Sequence, residues 1–587
     1  MAAKLNAKII SSLEKCFHDE ALSDHPRLKK ASMLRNERYS FQLAMQLQDR
    51  TCKDKKEVYL RVKSALAAYL EVKLVREVPS MFPCYGDARR REYLRRTPGL
   101  YPDLLEPLAE GREIPLVPGQ LRSLWFTIEP HVGMPTGEQK IELELLDENS
   151  MLLARETLAL TVIGMDLPAQ GLTFTQWFHC DCLAVYYGAH VFSERHWEII
   201  ENFLRTARRY GMNMVLTPVF TPPRDTAVGA ERPTVQLVDV TVEGGKYRFG
   251  FEKLDRWVHL CLRLGFEQFE ISHFFTQWGA AHAPKIVARV EGRTKRIFGW
   301  ETEAAGEAYA SFLHAFLDAL IPHLKELGID SRCRFHISDE PSEDSLGNYQ
   351  AAKRIVEERL KGYPIMDALS SYEFYRQGVS ECPIPSNDHI EPFLEHSVPH
   401  LWTYYCCGQS NGVSNRFLSM PSVNNRIIGT QFYKYGIEGF LHWGYNFYFS
   451  QLSRHAVNPF LVTDGDYMVP SGDAFSVYPA PDGTAWESLR LVVFHEALQD
   501  QRALELCESL YGRAFVMRLL EGGLRGRITF SSYPRRAAFL LRLRERVNAT
   551  LPDETGAPHQ PVQGEYGTTH CLFADMHVQK VKAYLKW

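Results

Sequence analysis

Arg334-Phe-His-Ile-Ser-Asp-Glu-Pro341 is a short apolar run that closes on two adjacent carboxylates and passes straight into a helical pattern, and its reading decides the fold. The same rhythm of apolar strand, polar loop and amphipathic helix recurs on both sides of it, which is the signature of parallel βαβ units. Candidate strands lie at 172–178, 212–219, 266–273, 334–338, 365–370, 400–405, 439–443 and 475–478. Between them Phe312, Phe316, Leu320 and Leu324 repeat at helical spacing, and Leu346, Tyr349, Ile355 and Val356 form another apolar stripe. Eight such strands predict an α/β fold of the (β/α)8 TIM-like barrel type. Residues 235–249 read as an inserted hairpin turned by Gly244-Gly245.

Upstream the period changes. From about residue 38 to 165 the chain shows short alternating runs such as Tyr39-Ser-Phe-Gln-Leu-Ala-Met-Gln-Leu47 and Lys140-Ile-Glu-Leu-Glu-Leu-Leu146, expected as strands of an antiparallel β-sandwich. Met165-Asp-Leu-Pro-Ala169 marks a boundary. Downstream, beyond about Tyr511, a helical and basic pattern runs through Arg535-Arg-Ala-Ala-Phe-Leu-Leu-Arg-Leu-Arg544 toward a Pro- and Gly-bearing tail. The expected plan is a sandwich over 1–165, a catalytic barrel over 166–510 and a helical extension with its tail over 511–587.

At 587 residues the chain exceeds what one hydrophobic core supports, in keeping with several domains. Its 67 Lys and Arg against 71 Asp and Glu leave a formal charge of -4, so no basic field attracts nucleic acid or an anionic membrane. The first residues carry no continuous apolar segment and no stretch approaches a membrane span, which leads to the expectation of a cytoplasmic protein with no membrane partner. The twelve cysteines are scattered, and the two close pairs, Cys180 with Cys182 and Cys406 with Cys407, lack the spacing of a structural metal site. Neither a metal nor a cofactor is expected. Oligomeric state is left open, a homo-oligomer included.

In a (β/α)8 barrel the active site lies at the C-terminal strand ends, so the residues closing each strand are the candidates. Asp339 and Glu340 could divide the acid and supporting roles of a glycosidase if their surroundings separate them, although acidic residues before a helix also suit its dipole. The remaining ends supply Trp177, His179 and Asp181, then Arg224 and Asp225, then His273 and Trp278, followed by Tyr372, Trp402 with Tyr404, and Trp443 with Asn446. A single His or Trp at a strand end is more often packed than functional. A rim of aromatic faces and hydrogen-bonding groups, with no phosphate-cradling Gly-rich loop to compete, is what a carbohydrate needs.

His336-Ile-Ser-Asp-Glu-Pro341, Leu401-Trp-Thr-Tyr-Tyr-Cys406, Asn415-Arg-Phe-Leu418, the run from Tyr433 through Trp443-Gly-Tyr-Asn446, and Gly472-Asp-Ala-Phe-Ser-Val-Tyr-Pro479 occur in an order that resembles DUF4091-type proteins related to glycoside hydrolase family 123. The likeness covers most of residues 35–510. It implies a retaining exo-β-N-acetylgalactosaminidase in which the substrate's own 2-acetamido oxygen attacks the anomeric carbon. Glu340 would then protonate the leaving oxygen and Asp339 would hold the acetamido N–H. Tyr372, with Tyr375 as a rival, would bind the acetamido carbonyl. Trp443 or Trp402 would floor the sugar, with Trp177, Tyr404 and Asn446 around it, and His179, Asp181, Asp225 and His273 would meet ring hydroxyls. Successive strand residues face opposite ways, so the chain must bend at Pro341 for both carboxylates to reach one sugar. Three other readings remain: a hexosaminidase of different specificity, a carbohydrate-binding barrel without turnover, and a glycosidase with a covalent intermediate that sets Asp181, Asp225 or Glu373 opposite Glu340.

Overall fold

The computed structural model describes residues 4–48, 55–109, 111, 113–223, 225–277, 279–340 and 343–552. It is a mixed α/β protein with a large β-rich N-terminal region. Two five-stranded sheets form that region, one ordered Leu5–Ser11, Tyr39–Leu47, Leu121–Ile128, Leu70–Ser80, Gly99–Pro107, the other Lys30–Leu34, Leu152–Ile163, Gly137–Leu146, Lys56–Lys63, Ile114–Leu116. Alternation decides which face is buried: Leu5, Ala7 and Ile9 turn inward against Phe41, Leu43, Met45 and Phe126, in a core of their own. Pairing is antiparallel except where Leu152–Ile163 runs parallel to Lys30–Leu34. The two strands before residue 38 therefore belong to the sandwich, and one parallel pair amends the all-antiparallel expectation.

The second region carries the parallel strands β1 (Thr173–Gln176), β2 (Met214–Thr217), β3 (Gln268–Ile271), β4 (Cys333–Phe335), β5 (Met366–Ala368), β6 (Cys382–Ile384), β7 (Trp402–Tyr404) and β8 (Gly439–His442). Continuous ladders join them as β1-β8-β7, β2-β3-β4 and β5-β6. These ladders stop short of the closed barrel expected from the sequence. Single parallel bridges, Phe335 to Ile365 and Ser386 to Tyr404, link the edges of the sheets. Between β1 and β2 the Asn213 amide N–H donates to the Phe174 carbonyl at 3.1 Å.

One expected strand is corrected. Residues 475–478 do not join the parallel set, because Val477–Pro479 pairs antiparallel with Ala485–Glu487. Its place is taken by β6, which a central Pro383 and a length of three residues hide from a pattern search. The inserted hairpin is present, with Glu243 paired to Lys246 across the left-handed Gly244 and Gly245. It is extended by Ile286–Val290 and Arg293–Phe298 into a four-stranded sheet.

Buried ion pairs lock the two regions together. Arg490, at the start of the helix Leu489–Tyr511, grips Asp103 of the sandwich through Nε and Nη2 at 2.9 Å each, and Tyr478 donates to the same carboxylate at 2.6 Å. The helix Ser422–Tyr435 lies so close to Leu489–Tyr511 that a Cβ at Gly429 would meet the Ala497 carbonyl oxygen at 1.9 Å. The helices Arg513–Glu521 and Ala537–Thr550 continue the C-terminal part and share a small core with Leu34, Ile163 and Leu504. The tail after residue 552 lies outside the described residues. Among the described residues no helix is long and apolar enough to cross a membrane.

Candidate active site

Strand β4 positions the acidic pair. Phe335 ends the ladder, His336 and Ser338 turn into the buried interior, and Asp339 and Glu340 emerge half-buried and exposed. The bend that both carboxylates need occurs at Glu340 itself, whose φ of 43° is left-handed. For a residue with a Cβ this costs about 1–3 kcal/mol, so the surrounding contacts must enforce it. One of them is visible: the Tyr404 hydroxyl, at the end of β7, donates to Glu340 Oε1 at 2.7 Å. Pro341, where the bend was expected, lies outside the described residues, as do Arg224 and Trp278.

Beneath the pair runs a chain of buried charge. His336 donates from Nε2 to Glu270 Oε1 at 2.6 Å and from Nδ1 to Asp367 Oδ1 at 3.1 Å, so its ring is held as a cation between two carboxylates. Glu270 also accepts from Trp177 Nε1 at 2.6 Å and Thr175 Oγ1 at 2.8 Å, and Asp367 from the Tyr349 hydroxyl at 2.6 Å. Burial works against the imidazolium, but the bonds and charges of Asp367 and Glu270 prevail and push its pKa up to about 8. Burial alone would raise the Glu270 carboxyl, yet the donors from His336, Thr175 and Trp177 hold it below the usual range. Asp367 is raised by burial, with the Asp339 charge adding to the effect.

This arrangement has a sign in pH. A histidine with a raised pKa contributes its full stabilisation below about pH 6.5 and loses it as pH climbs through 8, a contribution on the order of 2 kcal/mol. The melting temperature is expected to fall from pH 6.5 to 8.5 more steeply in the wild type than in His336→Gln; equal slopes by calorimetry would contradict the buried imidazolium.

His273 stacks on His336 with centroids 4.0 Å apart and planes 11° from parallel, edge-on to Trp177. His273, His336 and Asp367 bring one ligand atom each within 4.8 Å of one another. Stacked imidazoles direct their lone pairs along parallel planes, however, and both His336 nitrogens already face carboxylates. The trio is better suited to holding a proton than a metal ion.

The other predicted residues divide into two groups. Trp177, His273 and Tyr404 lie around the carboxylates, directly or through the Glu270–His336 chain. Trp443 is half-buried, with its Nε1 donating to Asp473 Oδ2 at 2.7 Å. His179, Asp181 and Asn446 are engaged structurally. Asp181 forms a buried two-pronged pair with Arg232 at 2.6 and 2.8 Å, His179 contacts Arg232 and the Trp443 carbonyl, and the Asn446 side-chain amide clamps the His179 backbone. Asp225 has φ 41°, its carboxyl accepts from the Leu452 amide at 3.0 Å, and burial pushes its pKa up to about 6. Glu373 is exposed and pairs with Arg376 on its own helix.

Two placements differ from expectation. Tyr372 begins the helix Tyr372–Arg376 and stacks on His396 at 4.4 Å and against Phe393, while the Tyr404 hydroxyl bonds Glu340. Trp402 is the first residue of β7, not its last. It packs over Gly439, where a Cβ would meet its ring at 1.9 Å, and under the Arg334 guanidinium at 5.2 Å. It therefore sits at the opposite end of the strands from Asp339 and Glu340. Sequence reasoning passed over Glu270, Asp367, Arg232 and Asp473. Glu270 had a signal, a lone carboxylate inside an apolar strand; the others sit in stretches where polar residues are ordinary.

Paired carboxylates at the end of a parallel strand, with Trp, Tyr and His near them, are chemistry that suits a glycoside hydrolase. The family model of the glycoside hydrolase 123 catalytic domain matches residues 177–507. The chain belongs to glycoside hydrolase family 123. Among solved structures, a family 123 glycoside hydrolase from Clostridium perfringens, described for glycolipid glycan hydrolysis, is similar in fold, with a TM-score of 0.69, 16% identity and coverage of 92% of this chain and 95% of that one. A Parabacteroides merdae β-glucuronidase has a TM-score of 0.29 at 11% identity, covering 87% of this chain and 52% of that one. A family 5 mannosidase from Rhizomucor miehei has a TM-score of 0.30 at 13% identity, covering 58% and 99%. No curated protein sequence matches the chain.

Proposed function

We propose that this glycoside hydrolase is a retaining exo-β-N-acetylgalactosaminidase that uses the substrate's 2-acetamido group as its nucleophile. The observation that carries the reading is the bend at Glu340, which lets two adjacent carboxylates share one side of the strands, with Tyr404 bonded to Glu340. Glu340 is the acid that protonates the leaving oxygen and the base that then activates water. Asp339 stays ionised and holds the acetamido N–H, so that the acetamido oxygen points at the anomeric carbon. No ester to the protein forms. Tyr404 orients Glu340, and the half-buried Trp443, held by Asp473, is the proposed floor for the ring. Tyr372 remains the tyrosine the family resemblance assigns to the acetamido carbonyl.

The eight parallel strands are proposed to act as one (β/α)8 barrel. The two single bridges and the β1 to β2 contact, each between edges of neighbouring ladders, support this reading. The division into 1–165, 166–510 and 511–587 is proposed with it. The glycolipid glycan chemistry reported for the Clostridium perfringens enzyme supports a sugar substrate in the same class. The test is release of p-nitrophenol from the β-N-acetylgalactosaminide, the β-N-acetylglucosaminide and the plain β-galactoside. Turnover confined to the acetamido sugars, with the galacto epimer preferred, is expected. Comparable turnover of the plain galactoside would rule out substrate assistance.

A further inference from the structure

Two hairpins, 239–250 after β2 and 286–298 after β3, leave the parallel strands at their C-terminal ends and merge into one sheet ordered Lys246–Gly250, Asp239–Glu243, Ile286–Val290, Arg293–Phe298. Alternation gives this sheet an apolar face. Tyr247 and Phe249 turn onto the helix Glu307–Glu326, against Phe312 at 5.0 Å and Phe316 at 5.5 Å. The Gln236 side-chain amide pins the middle of the sheet, bonded to both Val287 backbone groups at 2.9 and 3.0 Å. The opposite face carries Arg248, Arg289 and Thr294, all exposed, and the half-buried Thr241.

The strand register sets these four residues in one row: Arg248 opposite Thr241, Thr241 opposite Arg289, and Arg289 opposite Thr294. A cation inside a sheet gains from an acid opposite it, yet both neighbours of Arg289 are threonines. The acids of the adjoining strand are engaged elsewhere, Asp239 by Lys253 at 2.5 Å and Glu243 by Arg248 at 3.5 Å. Arg289 forms no ion pair among the described residues, and neither do Arg293 and Lys295 on the next strand. Basic residues on the edge strand Arg293–Phe298 guard it against pairing with another chain. That reason does not extend to Arg289, whose strand lies inside the sheet. The formal charge of -4 conceals the patch, and because the chain as a whole is acidic, attraction of a polyanion must come from short-range contacts at the row itself.

We propose that the row Arg248, Thr241, Arg289, Thr294 is a secondary binding surface for an acidic polysaccharide, one that carries a carboxylate or sulfate on alternate sugars. Neighbouring strands lie about 4.8 Å apart, so the two arginines stem from points about 10 Å apart. That interval matches a disaccharide in an extended glycan. A guanidinium grips a carboxylate or sulfate with two parallel N–H donors, and each threonine hydroxyl offers a donor and an acceptor to the sugar hydroxyls between. Other polyanions fit the row less well. Single-stranded nucleic acid needs exposed rings for its bases, and the rings of this sheet face inward. An anionic membrane is drawn by a positive field that the chain lacks. The surface does not depend on the roles assigned to Asp339 and Glu340.

The test is calorimetric titration of the full-length protein with a hyaluronan hexasaccharide, which bears a carboxylate on every second sugar, beside a neutral N-acetylglucosamine hexamer. The hyaluronan chain is expected to bind and the neutral chain to fail. Arg289→Ala should weaken binding about tenfold and Arg289→Lys less, whereas Arg90→Ala with Arg91→Ala, an exposed basic pair elsewhere, should leave it unchanged. No binding of hyaluronan, equal binding of the neutral chain, or indifference to Arg289→Ala overturns the surface. Adsorption to phosphatidylserine vesicles that Arg289→Ala abolishes, with no binding of hyaluronan, makes the row a membrane contact and overturns the glycan reading. A wild type that binds hyaluronan through Arg289 but releases no p-nitrophenol from any glycoside would defeat the hydrolase mechanism and leave the surface standing.

Discussion

Glu340→Gln is expected to lower kcat/KM about a thousandfold on a β-N-acetylgalactosaminide whose leaving group is a sugar, the middle of the range for loss of a general acid. Glutamine retains the oxygen that accepts from Tyr404 at 2.7 Å, so the left-handed turn and the site geometry should survive. Only the proton is lost. A sugar alkoxide departs poorly without that proton, whereas p-nitrophenolate departs readily, so the two leaving groups should respond differently. The deficit should be clearly smaller for bond cleavage in the aryl glycoside, measured as the p-nitrophenol burst, than for the disaccharide. The high-pH limb of the disaccharide profile, which reports the protonated acid, should disappear from the variant. A loss below tenfold on the disaccharide, or an equal loss on both leaving groups, would remove Glu340 from the acid role.

How far this site could be read from sequence depends on where each residue stands in its strand. Asp339 and Glu340 stand out in the sequence because an apolar strand ends abruptly on two carboxylates, and the structure places both at the end of β4, with their role a proposal. Trp402 misled because the apolar run around it starts before the strand does. The pairing with Gly439 makes it the strand's first residue and turns it to the far end. β6 was hidden by Pro383, which removes a ladder donor, and its absence let the apolar 475–478 run stand in for an eighth strand. Asp181 and Asn446 have the chemistry of sugar-binding residues, but a partner distant in sequence decides their use. Arg232, 51 residues from Asp181, takes both its oxygens.

Asp339→Asn separates substrate assistance from ordinary two-carboxylate hydrolysis. In the proposed mechanism the Asp339 charge is needed only as positive charge builds on the acetamido nitrogen during ring closure, so removing it should cost about a hundred- to a thousandfold in kcat on acetamido sugars, comparable to deleting one preorganised electrostatic partner. KM should change little, because the asparagine oxygen can still accept the ground-state N–H. The same substitution removes a charge that faces the buried Asp367, where Asp339 now raises the proton affinity of that carboxyl. Relief of this repulsion means the melting temperature should hold or rise. A variant that is folded, as stable as the wild type and nearly inactive is the pattern of a residue placed for chemistry at the expense of stability. Loss of activity together with a large drop in melting temperature would instead make Asp339 a structural support of the His336 chain. Full activity in Asp339→Asn would leave the acetamido group without its partner and the mechanism without its nucleophile.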